Sequence, residues 1–537
     1  MTAADLIVLA DRVHTLDPAR PAAQAVAIRN GTIIGVGDRP AAAQWRGSAT
    51  DVIDLGPATV TPGLVDGHIH PVMGIGLTQG ADLSAVRSIP ELVAVLRASN
   101  GTGPGGWVLG WGLDPNVFGR KPITNAPLTE ALGDVPVLVV LFDAHSAIAS
   151  PAALSLSGIT GARSFEGGAE VVCDENGCPT GHLLELPAYE LVRVIVPAQS
   201  SAERTRRLRS LLGDMAATGL TAGNVMDFEG DAQQLIGGLA LDVELPMRLR
   251  FAPFCMPGAT RESLDHIVEL QRLAGRRWQV DGVKFMIDGT VDGGTAWLDE
   301  PDTHGESTAP FWPEPDAYRE AARYLAANGV PTVTHAIGDA GVRYVLDALL
   351  EIPASATAVP HRIEHIETIP EDLLNRFRAQ NVTASMQPTH CTLYTKADHS
   401  DNWSERLGKV RADRAFRTRD LRRAGARLAL GSDWPIAPFD ARAVIADAQL
   451  RRPHGHHNAE PVLAEQGLTA LMALEGYTTH AAAAAGLQDV AGRISEGFRA
   501  DLSAFGLDPL SASPNEFAES SVPLTVVAGS IAHRESK

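Results

Sequence analysis

The sequence predicts an α/β protein: a TIM-like (β/α)8 barrel, with a small β-sandwich built from both termini and an inserted subdomain after the first barrel strand. Three observations lead there. Strand-like apolar runs alternate with amphipathic helical stretches through the middle of the chain, as βα units do around a parallel barrel. Both ends share another texture, short apolar runs broken by turns. At 537 residues the chain exceeds a usual single domain, which leaves room for an accessory domain or insertion.

The elements follow in chain order. LIVLADRVHTL, AQAVAIRNGTIIGVG and TDVIDLGPATVTPG predict the N-terminal part of the sandwich over residues 1–60. GRISEGFRADLSAFG and PLTVVAGSIAHR repeat that texture and predict its C-terminal part over 485–537. The barrel is expected over 61–484. Its eight strands fall near GLVDGHIHP, GLTAGNVMD, RLRFAPF, DGVKFMIDG, PTVTHAIGD, HRIEHIE, VTASMQP and RLALGSDWP. Helices are expected between them, for example SAERTRRLRSLLGDMAAT and DAYREAARYLAANG, whose polar residues are spaced for an outer ring. The interval 82–204 is too long for one βα loop and holds its own turns and apolar runs, such as VPVLVVLFDAHSAIAS. An insertion after a barrel strand overhangs the C-terminal face, so this segment is a candidate lid or substrate-selecting wall.

Composition narrows the function. Lys plus Arg total 45 against 64 Asp plus Glu, a formal charge of −19 that repels nucleic acid and anionic membranes. The start lacks the basic flank and apolar core of a secretory signal, and no stretch reaches the roughly 20 apolar residues of a membrane span. A cytoplasmic location is the default expectation. Four cysteines are too few for a disulfide framework. Cys173 and Cys178 flank a predicted hairpin turn and read as small side chains rather than as a bridge.

Gly67-His68-Ile69-His70 follows the apolar Leu64 and Val65. The period of two along a strand puts both imidazoles on one face and Ile69 on the other. Neutral imidazole suits zinc and other first-row divalent ions, so the pair reads as half of a metal site. An H-x-H alone is weak evidence; TPGLVDGHIHP as a whole is far more specific. Residues Thr61 to Pro71 resemble the first-strand signature of the amidohydrolase superfamily, and Lys284, His335, His365 and Asp433 follow in that superfamily's order, each near the C-terminal end of a proposed strand. GWG around Trp111, DAHS at His145, TGHLLE and VKFMIDGT are similar to the YtcJ-like branch, which includes N-substituted formamide deformylase. The resemblance covers nearly the whole chain.

The resemblance implies a metal set of His68, His70, Lys284, His335, His365 and Asp433, holding one or two divalent ions, with zinc the expected one. Two further histidines add nitrogen ligands, and Asp433 adds a hard oxygen that also accepts a proton. As a cation Lys284 is a poor ligand; in related enzymes the equivalent lysine is carboxylated and bridges two metals. A single metal with unmodified Lys284 stays open, as does Glu185 supplying the carboxylate instead. One inward His or Asp alone is more often a satisfied core residue; five in order on five strands are hard to explain that way.

Other candidates carry less weight. Glu364 precedes His365 by one and is expected to face away from the barrel axis in a structural role. The HGHH run at 454–457 reads as a solvated loop, and His304, His390 and His399 are placed in loops that could face the pocket. His145 is expected to contact substrate. Trp107, Trp111 and Trp297 read first as packing residues, with Trp111 and Trp297 as candidate pocket walls for an apolar substituent.

The chemistry expected is hydrolysis of a C–N bond in a small linear amide. Metal lowers the pKa of water, Asp433 moves the proton to the leaving amine, and a nearby imidazole such as His335 steadies the oxyanion. A serine hydrolase is set aside for want of a G-x-S-x-G elbow, and nucleotide binding for want of a Walker A run or a G-x-G-x-x-G opening a helix. Heterocycle deamination is the closer competitor; a small-molecule-binding or regulatory protein without turnover is the alternative of another class. The expected partner is a small-molecule substrate, with no nucleic acid and no membrane, and the superfamily's habits imply a homo-oligomer.

Overall fold

The computed structural model describes residues 3–101, 103–119, 121–165 and 169–535. Eight parallel strands organise the centre: β1 (Leu64–Ile69), β2 (Leu220–Val225), β3 (Arg248–Phe251), β4 (Val283–Met286), β5 (Thr332–Ala336), β6 (Arg362–His365), β7 (Thr383–Met386) and β8 (Leu428–Leu430). Each falls within one of the eight runs read as strands. They are almost wholly buried, as strands covered on both faces must be, which explains their apolar composition.

The ladders form two parallel sets. β1, β2 and β3 pair in order, and β4 to β8 pair in order. Two backbone bonds join the sets beyond β3: Lys284 N–H to the Pro253 carbonyl and Cys255 N–H to the Lys284 carbonyl, both 2.8 Å. On the other side, Asp433 N–H donates to the His68 carbonyl at 2.7 Å and His70 N–H to the Trp434 carbonyl at 2.9 Å. The helices Ser201–Ala217 and Pro315–Ala327 match the two amphipathic runs of the sequence. The first begins where the Ser200 side chain accepts from Glu203 N–H. One large apolar cluster joins such helices to the strands, through Leu208, Leu212, Met215, Tyr318 and Leu325.

Strands from both chain ends share one eight-stranded sheet. Leu6–His14 pairs with Ala22–Arg29 and Thr59–Pro62, and Thr59–Pro62 pairs antiparallel with Leu502–Phe505, Pro62 opposite Leu502. Val8, Val26, Leu502 and Val526 share its core. Between β1 and β2 lies a seven-stranded sheet running from Ala81–Asp82 to Pro179–Leu184, with its own apolar clusters; Trp107 is buried in one of them, a packing residue. Cys173 and Cys178 sit at the hairpin between Glu170–Cys173 and Pro179–Leu184, and both are free thiols. No described helix is long and apolar enough to cross a membrane.

Candidate metal centre

The C-terminal ends of the parallel strands converge on one group of buried histidines. His68 Nδ1 lies 2.6 Å from Glu364 Oε2, and His70 Nδ1 lies 3.1 Å from Asp227 Oδ2. A carboxylate accepts, so both Nδ1 atoms carry a proton and both Nε2 atoms, the ones free to bind metal, face inward. Each Nε2 is 3.3 Å from Asp433 Oδ1. On the other side of Asp433, Oδ2 is 3.9 Å from His365 Nδ1 and 3.7 Å from His390 Nε2. Those two nitrogens are buried and have no hydrogen-bond partner, which is costly unless something binds them. Asp433 therefore joins two trios, His68/His70/Asp433 and His365/His390/Asp433, with the donor atoms of each within 4.8 Å of one another. The donor set fits a divalent metal ion.

His335 lies beside them, its ring centroid 4.5 Å from that of His365. Its Nε2 donates to the Gly289 carbonyl at 3.1 Å, which leaves Nδ1 as a lone pair. Burial, and after it nearby positive charge, holds His68, His335 and His365 well below the ordinary imidazole value. They are neutral, the form that binds metal. His70 goes the other way: burial pulls it down, but the bonds to Asp227 and Asp433 outweigh this. Burial would also raise Asp433, yet His68, His70 and His390 hold it below the usual carboxylate range.

Lys284 is 2 % exposed, with Nζ 3.2 Å from His68 Nε2. Burial lowers its pKa to about 8, against the opposing pull of Glu364 and Asp433. Among the described residues no carboxylate comes within ion-pair distance of it, so it is not a salt-bridged structural lysine.

Local backbone geometry aims these groups. Asp433 has φ +60° and His365 has φ +72°, so both side chains leave the simple alternation of a strand. Asp66, on β1, fixes the segment before Asp433: its carboxylate accepts from Ser432 N–H at 3.0 Å, from Ser432 Oγ at 2.7 Å and from His68 N–H at 3.0 Å. Burial pushes its carboxyl up to about 7. Ser432 is thereby fully committed and buried, consistent with its exclusion as a nucleophile.

Four expectations need correction. Glu364 does not face away from the site: it is fully buried, pairs with Arg362 at 2.9 Å and holds His68. The period-of-two argument fails because His365, the reference residue, has left extended geometry. His390 is not in a loop; it sits in the first turn of the helix Pro388–Tyr394, which opens directly after β7. The signal was its place two residues beyond the QP that ends VTASMQP. Trp111 and Trp297 do not line the cavity over the histidines. Trp111 belongs to the strand Val108–Leu113 in the inserted sheet, and the Trp297 ring packs on Tyr344 with centroids 5.3 Å apart. The aromatic walls are Phe142, Phe254, Tyr394, Trp403 and Phe416.

His145 does reach the cavity, its ring centroid 5.6 Å from that of His335. Its Nδ1 is 2.8 Å from Glu185 Oε2, and Glu185 Oε1 accepts from Thr295 Oγ1 at 2.6 Å. Both oxygens of Glu185 are so engaged, and it stands outside both trios. Burial alone would lower the His145 pKa; Glu185 and Asp143 outweigh it and raise it to about 9. His304 and the 455–457 run are exposed, and His454 bonds Asp447 at 3.0 Å, away from the cavity. His399 is 3.6 Å from Asp413, also outside it.

Histidines and a carboxylate gathered at the C-terminal ends of parallel α/β strands define the class: a metal-dependent hydrolase. The chain belongs to the amidohydrolase family, whose profile matches residues 51–533. It is 28% identical over 527 residues to a putative amidohydrolase, YtcJ, of Bacillus subtilis (strain 168), covering 96% of each chain. It is 26% identical to an N-substituted formamide deformylase of Arthrobacter pascens, covering 98% of this chain and 97% of that one. Among solved structures, an uncharacterized metal-dependent hydrolase from Pyrococcus horikoshii OT3 superposes with a TM-score of 0.73 at 24% identity, over 95% of this chain and 99% of the other.

Proposed function

We propose that this enzyme hydrolyses the C–N bond of a small linear amide of the N-substituted formamide type, using zinc held by His68, His70, His335, His365 and Asp433, with His390 completing the second trio. The observation that carries the reading is Asp433 shared between two histidine trios, with two buried nitrogens otherwise unpartnered. The strand order and the bonds on both sides of the two parallel sets support a closed (β/α)8 barrel beneath it, with the shared terminal sheet as a flanking β-sandwich. A divalent ion in this position supplies water with a pKa lowered from about 15.7 toward 7.

The remaining work falls to side chains. Asp433, an anion at neutral pH, takes a proton on a carboxylate oxygen and returns it to the leaving amine nitrogen. His335, expected from the sequence to steady the oxyanion, gives its Nε2–H to Gly289 and has only the Nδ1 lone pair left, so its part is to hold metal. His145, tied through Nδ1 to Glu185, turns its other edge to the substrate. Phe142, Phe254, Tyr394 and Phe416 exclude water and accommodate an apolar substituent.

Lys284 fits carboxylation in this reading. Its neutral amine attacks carbon dioxide, an N–C bond forms and one proton leaves, so an unpaired buried cation becomes an anion beside His68. A cation left alone at such depth is strongly disfavoured. The test is elemental metal analysis of chelator-free protein, wild type and Lys284→Ala, beside an assay on N-substituted formamides. Near two equivalents falling to one or fewer, with formamide turnover in the wild type, is the expected result. One equivalent indifferent to the substitution directs the search to heterocycle deamination, and no metal in either protein sinks the proposal.

A further inference from the structure

Far from the histidines, at the N-terminal ends of β1, β2 and β3, lies a second cavity of about 180 Å³. A single water needs only ~10–15 Å³ measured this way, so this is room for a ligand rather than a water slot. Four guanidinium groups line it, Arg248, Arg250, Arg277 and Arg499, with Asn224 and a single acid, Asp501. In a chain of net charge −19, that concentration of cations demands an explanation.

Ion pairing accounts for part of it. Arg248 Nε donates to Asp501 Oδ2 at 2.9 Å, Arg250 Nε to Asp281 Oδ2 at 2.9 Å, and Arg277 Nη2 lies 2.7 Å from Glu244 Oε1. Arg277 also donates to the carbonyls of Leu245 and Val527, at 2.5 and 2.7 Å. Arg499 has no carboxylate within ion-pair distance among the described residues. Arg250, 7 % exposed, keeps Nη2 without a partner, and Asn224, 2 % exposed, keeps Nδ2 without one. Both residues line the cavity. The unused groups are all donors, on side chains too deep for bulk water to satisfy. Three carboxylates leave one guanidinium over, and the only acid in the lining already accepts from Arg248 and from Ala528 N–H.

We infer that this cavity is a binding site for a phosphate group, distinct from the metal centre and on the opposite end of the strands. Guanidinium groups match phosphate oxygens in charge and in fork geometry. Arg250 and Asn224 come from β3 and β2, whereas Arg499 and Asp501 come from the segment leading into the C-terminal strands of the terminal sheet. The ligand bridges these two parts of the chain. Its phosphate is either inorganic or carried on a small metabolite.

Calorimetry on the metal-loaded, full-length enzyme at fixed ionic strength tests this, with inorganic phosphate and methyl phosphate as probes. Saturable binding is expected, at least tenfold weaker in Arg499→Gln while amide turnover is unchanged. Arg499 is half-buried and unpaired, so this variant keeps the fold; Arg250→Gln is the second variant and weakens binding in the same way. Tighter binding of methyl phosphate assigns the site to a phosphorylated metabolite, and tighter binding of inorganic phosphate to the free ion. Equal heats with chloride overturn the inference. So does phosphate binding that survives Arg499→Gln but vanishes in Asp433→Ala, because the anion then sits at the metal centre.

Discussion

Replacing Glu364 with Gln removes one oxygen acceptor at a position that serves two buried donors. Oε2 receives His68 Nδ1–H at 2.6 Å and Arg362 Nη2–H at 3.1 Å, while Oε1 receives Arg362 Nε–H at 2.9 Å. A glutamine has one carbonyl and one NH2, so one of the two oxygen positions turns from acceptor to donor. If its carbonyl serves Arg362, the NH2 meets His68 and drives the imidazole proton from Nδ1 to Nε2, the atom facing Asp433. The metal-binding lone pair is lost. Losing such a supporting hydrogen bond to a ligating histidine typically costs about 10–100-fold in metal affinity, ~1.4–2.8 kcal/mol. If instead the carbonyl takes the Oε2 place, it serves His68 and Arg362 Nη2, but the NH2 opposes Arg362 Nε and the fully buried guanidinium loses its carboxylate; breaking such a pair costs up to about 3–5 kcal/mol of stability. Chelator competition for the divalent metal and thermal unfolding of the same preparation read both branches. The Asp227→Asn variant is the control. Its bond to His70 is longer, 3.1 Å, and the amide oxygen can still accept it, so the affinity loss stays near the low end, about tenfold. A Glu364→Gln enzyme with wild-type affinity for divalent metal and wild-type Tm refutes the reasoning.

Three further outcomes follow from the same geometry. His390→Ala removes a member of the second trio and lowers metal content by elemental analysis, whereas His454→Ala, outside the cavity, leaves it unchanged; equal content in both variants removes His390 from the ligand set. In metal-free protein burial lowers the His145 pKa but Glu185, Asp143 and Asp433 raise it on balance from 6.5 to about 9, so its surroundings, Glu185 foremost, contribute about 3 kcal/mol that is fully present below pH 6.5 and lost as pH rises through 9. Urea midpoints across that window fall with pH in the wild type and flatten in Glu185→Gln; parallel profiles would count against the pairing. Gly67→Ala places a Cβ 2.6 Å from the Leu430 carbonyl of β8, which must shift and carry Asp433 with it; calorimetric unfolding is expected to register a loss of ~1–3 kcal/mol, with metal content reduced, and an unperturbed variant would show that β8 yields without cost.

The sequence carried the strands and the residues that meet at the candidate site because each is written locally. An apolar run bounded by turn residues marks a strand wherever it sits, and His68, His70, His335, His365 and Asp433 each close such a run. What it could not carry is partnership between strands far apart in the chain. Glu364 and Asp227 look like ordinary acids until β6 and β2 bring them against His68 and His70. His390 was hidden because a helix, not a loop, follows β7 and turns its first residues back over the strand ends. The tryptophans misled for a related reason: aromatic area is useful in any core, and Trp111 and Trp297 found other neighbours.

The clasp between Asp66 and Ser432 joins residues 366 positions apart. At a ribosomal rate of about 5–20 residues per second, His68 and His70 wait on the order of 20–70 s before Asp433 is even synthesised. Leu502–Phe505, which pairs with Thr59–Pro62, emerges later still. His68 and His70 thus exist long before Asp433 is made to complete their trio.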